Sequence, residues 1–187
     1  MDWITLSNGF AAYLTLEKGL SKNSVEAYAR DLDRLRDHFT TKNQKKALEI
    51  KFDDLSLFLQ EASKAGMKPR SRARLISGVK AFFRYLILED IRADNPAELL
   101  ESPRLPQKLP DTLSEEEIAQ ILNSVDLSAP QGTRNRAILE TLYASGLRVS
   151  ELVTLRISGI YEDDGFLRVI GKGNKERLVP VGKDALK

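Results

Sequence analysis

Three prolines in the stretch "ESPRLPQKLPDTLS", Pro103, Pro106 and Pro110, constrain this chain more than any other feature. Each removes an amide donor and disfavours a helical backbone at the residue before it, so the stretch reads as an extended linker. It divides the 187 residues into a domain over 1–106, a linker over 107–112 and a second segment over 113–187. With 42% apolar and 30% charged residues, the chain suits packed cores rather than disorder. The chain has no cysteine, which excludes disulfides and cysteine-ligated zinc. No stretch approaches the ~18 apolar residues of a membrane span. The opening "MDWITLSNGF" lacks the basic and apolar regions of a secretory signal, so a cytoplasmic protein is expected.

Before the linker, apolar periodicity predicts about four helices. The first runs over 2–16, with Trp3, Ile4, Phe10, Tyr13 and Leu14. The second, "LSKNSVEAYARDLDRLRDHF", opens at a Ser21 or Asn23 cap, and the third covers 53–65. The fourth, over 70–89, aligns Leu75, Ile76, Val79, Phe82, Phe83, Leu86 and Ile87 on one stripe. Arg70, Arg74, Lys80 and Arg84 fall opposite that stripe, so burying it turns a basic ridge outward. The net charge is only +2, yet the window 62–88 holds seven basic residues and no acidic one. A solvated helix face mixes both signs, so this window points to an anionic partner, nucleic acid above all.

After the linker, "TLSEEEIAQILNSV" predicts a helix with a Ser114–Glu117 capping box. Its three glutamates complement the helix dipole rather than hold a metal. "TRNRAILETLYAS" predicts a helix ended by Gly146, and "GFLRVIGKGNKERLVPV" a β-hairpin with Lys172 and Lys175 at its tip. The fold class expected is mainly α: an all-α first domain and a mixed α+β second segment, mostly α with one β-hairpin.

The segment "YASGLRVSELVTLR" poses a chemical question. As a helix over 147–155, it gathers Val149, Leu152, Val153 and Leu155 into an apolar arc, with Arg148 inside and Glu151 at its edge. An inward charge is costly unless Glu151, another ion partner or a ligand anion meets it. His38 is the only histidine, which rules out a multi-histidine metal site within these residues. "GKGNKER" lacks the spacing of a nucleotide-binding P-loop. What remains is Arg148, whose guanidinium fork matches phosphate oxygens, and Lys172, which could protonate a leaving oxygen. Both also have plain readings, Arg148 paired with Glu151 and Lys172 simply solvated.

These residues resemble a family. "LYASGLRVSELVTL" followed by "VIGKGNKERLVPV" is similar to the start of the catalytic domain of the tyrosine recombinases, the phage-integrase family. Within that family, the bacterial Xer chromosome-dimer resolvases match best. "GLSKNSVEAYARDLDRL" and "RARLISGVKAFFRYLILEDIRADNPAELLESPRLPQKLP" resemble the family's SAM-like helical core-binding domain and its linker. The resemblance implies site-specific DNA strand cleavage and rejoining through a 3′-phosphotyrosine, with no metal or other cofactor. It makes Arg148 the first catalytic arginine, Lys172 the lysine that protonates the departing 5′ oxygen, and Glu151 the acid that supports the arginine. Arg70, Arg74, Lys80, Arg84, Lys175 and Arg177 become the expected DNA contacts.

The family's H-x-x-R motif and its nucleophilic tyrosine have no match here. The chain is therefore expected to be a C-terminally truncated recombinase whose catalytic domain is incomplete. Such a chain would bind DNA as a monomer without cleaving it. The full-length protein is expected to be a tetramer on two DNA sites, with a paralogous recombinase as a further partner, acting in chromosome partition at cell division. A non-catalytic DNA-binding protein on the same scaffold and the integrase of a mobile element are the alternatives.

Overall fold

A computed structural model describes residues 1–43, 45–106, 109–171 and 173–186. The chain forms two compact units, 1–108 and 109–187. The mainly α expectation holds, with helices throughout and one small sheet.

The first unit is built from α1 (Trp3–Leu16), α2 (Lys22–His38), α3 (Phe52–Lys64) and α4 (Pro69–Leu88). Asp2 caps α1 by accepting from the Thr5 amide at 2.7 Å, which satisfies one of the free donors of the first turn. Pro69 opens α4, where its missing amide proton costs nothing. Ser21 stands at the cap position of α2 without a side-chain cap bond. The stripe read from the sequence is the core of this unit: Leu75, Ile76, Val79, Phe82, Phe83 and Leu86 of α4 are buried. Phe82 meets Trp3 in a stack at 6.1 Å and Phe10 edge-on at 5.5 Å, so α1 and α4 interlock through aromatic rings.

The second unit contains α5 (Glu115–Asn123), α6 (Gly132–Ser145), α7 (Val149–Val153) and an antiparallel sheet. The sheet orders as β1 (Ile160–Tyr161), β2 (Phe166–Ile170) and β3 (Glu176–Pro180). The Ser114–Glu117 capping box forms in both directions, at 3.2 and 2.8 Å. Gly146 ends α6 with φ +60, a left-handed turn that carries the chain towards Arg148. β1 was not expected, because two residues are too few to show alternation. The expected hairpin is β2–β3. Its register pairs Leu167 with Val179 and Val169 with Arg177, so these four residues share one face. Leu167 and Val169 are buried with Leu147 and Val181 in a small second core.

The reading of 147–155 as one helix needs correction. Only 149–153 is helical, and Arg148 precedes it as an extended cap residue. The apolar arc splits: Leu152 and Leu155 pack against the small core, while Val149 and Val153 are exposed beside α6. One helical turn cannot impose the periodicity that the sequence pattern assumed.

Candidate functional site

Arg148 does not point into a core. Its side chain is 70% exposed, and the buried charge is Glu151, with a side chain 4% exposed. The costly charge in this apolar segment is therefore that of the glutamate, and a set of four hydrogen bonds meets it. Glu151 Oε2 accepts from the Arg148 amide at 2.9 Å, which fixes the start of α7. Its Oε1 accepts from Arg148 Nη1 at 3.0 Å. Arg177, from β3, closes on the same carboxylate as a fork, Nη1 to Oε1 at 2.8 Å and Nη2 to Oε2 at 2.9 Å.

The electrostatics follow from this geometry. The Arg177 fork, then the Arg148 amide and side chain, hold the Glu151 carboxyl well below its ordinary 4.5, at about 2, against the opposing effect of burial. Glu151 is thus a fixed anion at neutral pH. Among the described residues, Arg148 Nε and Nη2 have no partner, so the guanidinium is oriented by one carboxylate oxygen and still presents donors outward. An arginine held in this way can take two oxygens of a phosphate group.

Gly171 leaves room for the fork. A Cβ at this position would lie 2.9 Å from Arg177 Nη1 and 3.3 Å from Glu151 Oε1. The Gly171 amide also donates to the Lys175 carbonyl at 2.8 Å, and Gly173 and Asn174 turn the chain with φ +75 and +58. Lys175 is exposed at this turn. Lys172, the expected proton donor, lies outside the described residues.

On the first unit, α4 presents Arg70, Arg74 and Arg84 to solvent, with Lys80 half-buried. These side chains do not behave alike. Arg74 Nη1 donates to Asp31 Oδ2 at 2.7 Å and to the Ala27 carbonyl at 2.9 Å, which ties it to α2. Arg72 turns aside to the Ser63 hydroxyl. Arg70 and Arg84 are exposed on the ridge without such a tie among the described residues.

Sequence reading missed Asp31, Gly171 and the partner of Arg177. A signal existed for two of them. Strand alternation places Arg177 on the face of Val179 rather than the opposite one, and Gly78 interrupts the α4 stripe where Asp31 approaches. Nothing in the sequence pairs residue 151 with residue 177.

Comparison with known proteins follows the same division. The phage integrase N-terminal SAM-like domain matches residues 8–90, and the phage integrase family matches residues 111–187. Tyrosine recombinase XerD of Yersinia pestis is 46% identical over 177 residues, covering 95% of this chain and 59% of the relative. Tyrosine recombinase XerD of Haemophilus influenzae is 44% identical over 170 residues, covering 91% and 57%. The chain thus spans less than two thirds of the length of these curated relatives. Among solved structures, a lambda integrase tetramer bound to a Holliday junction superposes with TM-score 0.73 at 19% identity, covering all of this chain and 53% of that one. XerH recombinase bound to palindromic difH substrate does so with TM-score 0.69 at 21% identity, covering 87% and 49%. At such identities these two similarities establish the fold.

Proposed function

The chain belongs to the phage integrase family, the tyrosine recombinases, and from that membership we propose that it carries the DNA-gripping unit and part of the cleavage centre of a site-specific recombinase. The observation that carries the reading is Arg148: a guanidinium oriented by a buried carboxylate at 3.0 Å, with its side chain 70% exposed. In this reading Arg148 binds the non-bridging oxygens of the scissile phosphate and stabilises the charge that grows there in the transition state. Glu151 orients Arg148, and Lys172 protonates the departing 5′ oxygen, as the resemblance implies. A tyrosine attacks the phosphodiester, and the covalent 3′ link conserves the bond energy for rejoining without a cofactor. No tyrosine of this chain matches that nucleophile, so residues 1–187 alone bind DNA without cutting it.

The first unit grips double-stranded DNA through the α4 ridge, with Arg70 and Arg84 on phosphates and Lys80 and Arg74 beside them. Lys175 adds a contact from the hairpin turn. The relatives named XerD support chromosome dimer resolution as the biological task, and the tetramer formed by lambda integrase on a Holliday junction supports assembly on two duplexes. A paralogous recombinase is the proposed partner in that assembly, and the cytoplasm the proposed location. Among the described residues, no helix is long and apolar enough to cross a membrane.

The ridge is tested by titrating labelled duplex DNA at several salt concentrations. Reversing Arg70 and Arg84 to glutamate should weaken binding to every sequence. Removing two phosphate contacts should lower the slope of log affinity against log salt by about 1.8. An unchanged affinity and slope would exclude this face as the DNA surface.

A further inference from the structure

Two arginines share one carboxylate in the second unit, and they do not share it equally. Arg177 faces Glu151 as a fork, one terminal nitrogen to each oxygen, at 2.8 and 2.9 Å. Arg148 reaches the same group with one side-chain nitrogen, Nη1, at 3.0 Å. A carboxylate offers one bidentate edge to a guanidinium, and the paired geometry is stronger than a single bond. Whichever arginine occupies that edge is held, and the other stays available.

We propose that Arg177 is a positioning residue: by occupying the bidentate edge of Glu151, it prevents Glu151 from capturing Arg148 and leaves Arg148 donors free for a phosphate. The inference rests on the reading of Arg148 as the phosphate ligand. Three further observations fit it. Val169 and Arg177 are register partners, so the strand face that buries Val169 also aims Arg177 at α7. Gly171 leaves open the space that the Arg177 fork fills, where a Cβ would come within 2.9 Å of Nη1. The Arg148 amide bond to Glu151 Oε2 keeps the two residues adjacent whatever their side chains do. Without Arg177, the nearest cation to a buried and ionised Glu151 is Arg148 itself, and a fork between them would remove donors from the ligand.

The test uses the isotope-labelled chain and inorganic phosphate as probe at low ionic strength, following the Arg148 Nε–H resonance. Phosphate should shift that resonance in the unaltered chain. Arg177→Ala should weaken phosphate binding about tenfold, the worth of one charge-assisted hydrogen bond. Adding Glu151→Gln to Arg177→Ala should recover part of that loss, about threefold over Arg177→Ala alone, because a neutral amide does not capture a guanidinium as a carboxylate does. A purely structural role for Arg177 predicts no such recovery. Arg177→Lys keeps the charge but cannot fill both oxygens; it should bind phosphate with intermediate affinity, and it serves if the alanine variant does not fold. Unchanged affinity in both Arg177 variants, or a loss that Glu151→Gln fails to lessen, overturns the inference while leaving the reading of Arg148 in place. If phosphate does not move the Arg148 resonance in the unaltered chain, the reading of Arg148 and the inference fall together.

Discussion

Arg74 on α4 reaches Asp31 on α2, with Nη1 donating to Oδ2 at 2.7 Å, and this contact pins the basic ridge to the helix behind it. Asp31 is 1% exposed, its Oδ1 has no hydrogen-bond partner among the described residues, and Gly78 lets it approach α4 closely. Burial pushes the Asp31 carboxyl above its ordinary 3.8, with the positive charge of Arg74 opposing. A raised carboxyl disfavours the folded state once it must ionise, so this group is least costly below pH 3.8 and more costly as pH climbs through its folded value. Asp31→Asn should therefore be neutral or stabilising at pH 7, with the difference from the unaltered chain fading towards pH 3. Arg74→Ala, which leaves the buried carboxylate alone, should cost about 2 kcal/mol at pH 7, below the range for fully buried pairs because Arg74 is partly in water. Urea unfolding of the single and double variants checks both, and the Arg74→Ala cost should largely vanish beside Asp31→Asn.

Gly171→Ala should disturb the cluster from the side of the hairpin. The added methyl displaces the end of Arg177, and overpacking of this kind costs about 1 kcal/mol. The Glu151 carboxyl should then titrate upward from about 2, because its largest stabilising contact is lost. Carbon-detected titration of Glu151 measures the change. An unshifted Glu151 in a folded Gly171→Ala chain would mean that the fork tolerates the methyl.

Glu151 also sets an acid limit on the second unit. Its folded value lies below its ordinary 4.5, so its stabilising effect is complete above pH 4.5 and is lost as pH falls towards about 2. The amides of α7 and β3 should lose protection across that window. In Glu151→Gln the same amides should show a weaker dependence on pH over that range.

How much of this could be read in advance varies with the length of the pattern. α4 was legible because its stripe from Leu75 to Leu86 repeats over several turns, and the linker because proline acts locally. The hairpin was legible from alternation around a Gly-rich turn. Arg148 was placed wrongly because α7 is five residues long and starts after it, so a helical wheel had no turn to describe. The pairs Asp31–Arg74 and Glu151–Arg177 depend on which elements pack together, and that information lies in tertiary structure. The traces they leave in sequence are Gly78 in the α4 stripe and the strand alternation that puts Arg177 on the face of Val179.

The two units should differ in stability. The first buries Phe10, Phe39, Phe82 and Phe83 together with many aliphatic residues, whereas the second core has Leu147, Leu167, Val169 and Val181 as its buried members. Val149 and Val153 remain exposed along a groove with Ile138 and Leu142. Hydrogen exchange should accordingly be faster in α5, α6 and α7 than in α1 and α4. Equal protection in both units would show that the small core is sufficient by itself.

The central claim, that Arg148 holds the scissile phosphate, is tested most directly by changing the leaving atom. Residues 1–187 are joined to the part of the Yersinia pestis relative that lies beyond the match, and cleavage is followed on nicked duplex DNA. One substrate carries the ordinary bridging 5′ oxygen and the other a bridging sulfur, which leaves without needing a proton. Lys172→Ala should slow the oxygen substrate by a factor of about 10²–10⁴ and the sulfur substrate hardly at all. Arg148→Ala should fail on both substrates, because charge develops on the non-bridging oxygens whichever atom departs. Rescue of Arg148→Ala by sulfur, or undiminished cleavage of the oxygen substrate by that variant, would contradict the account.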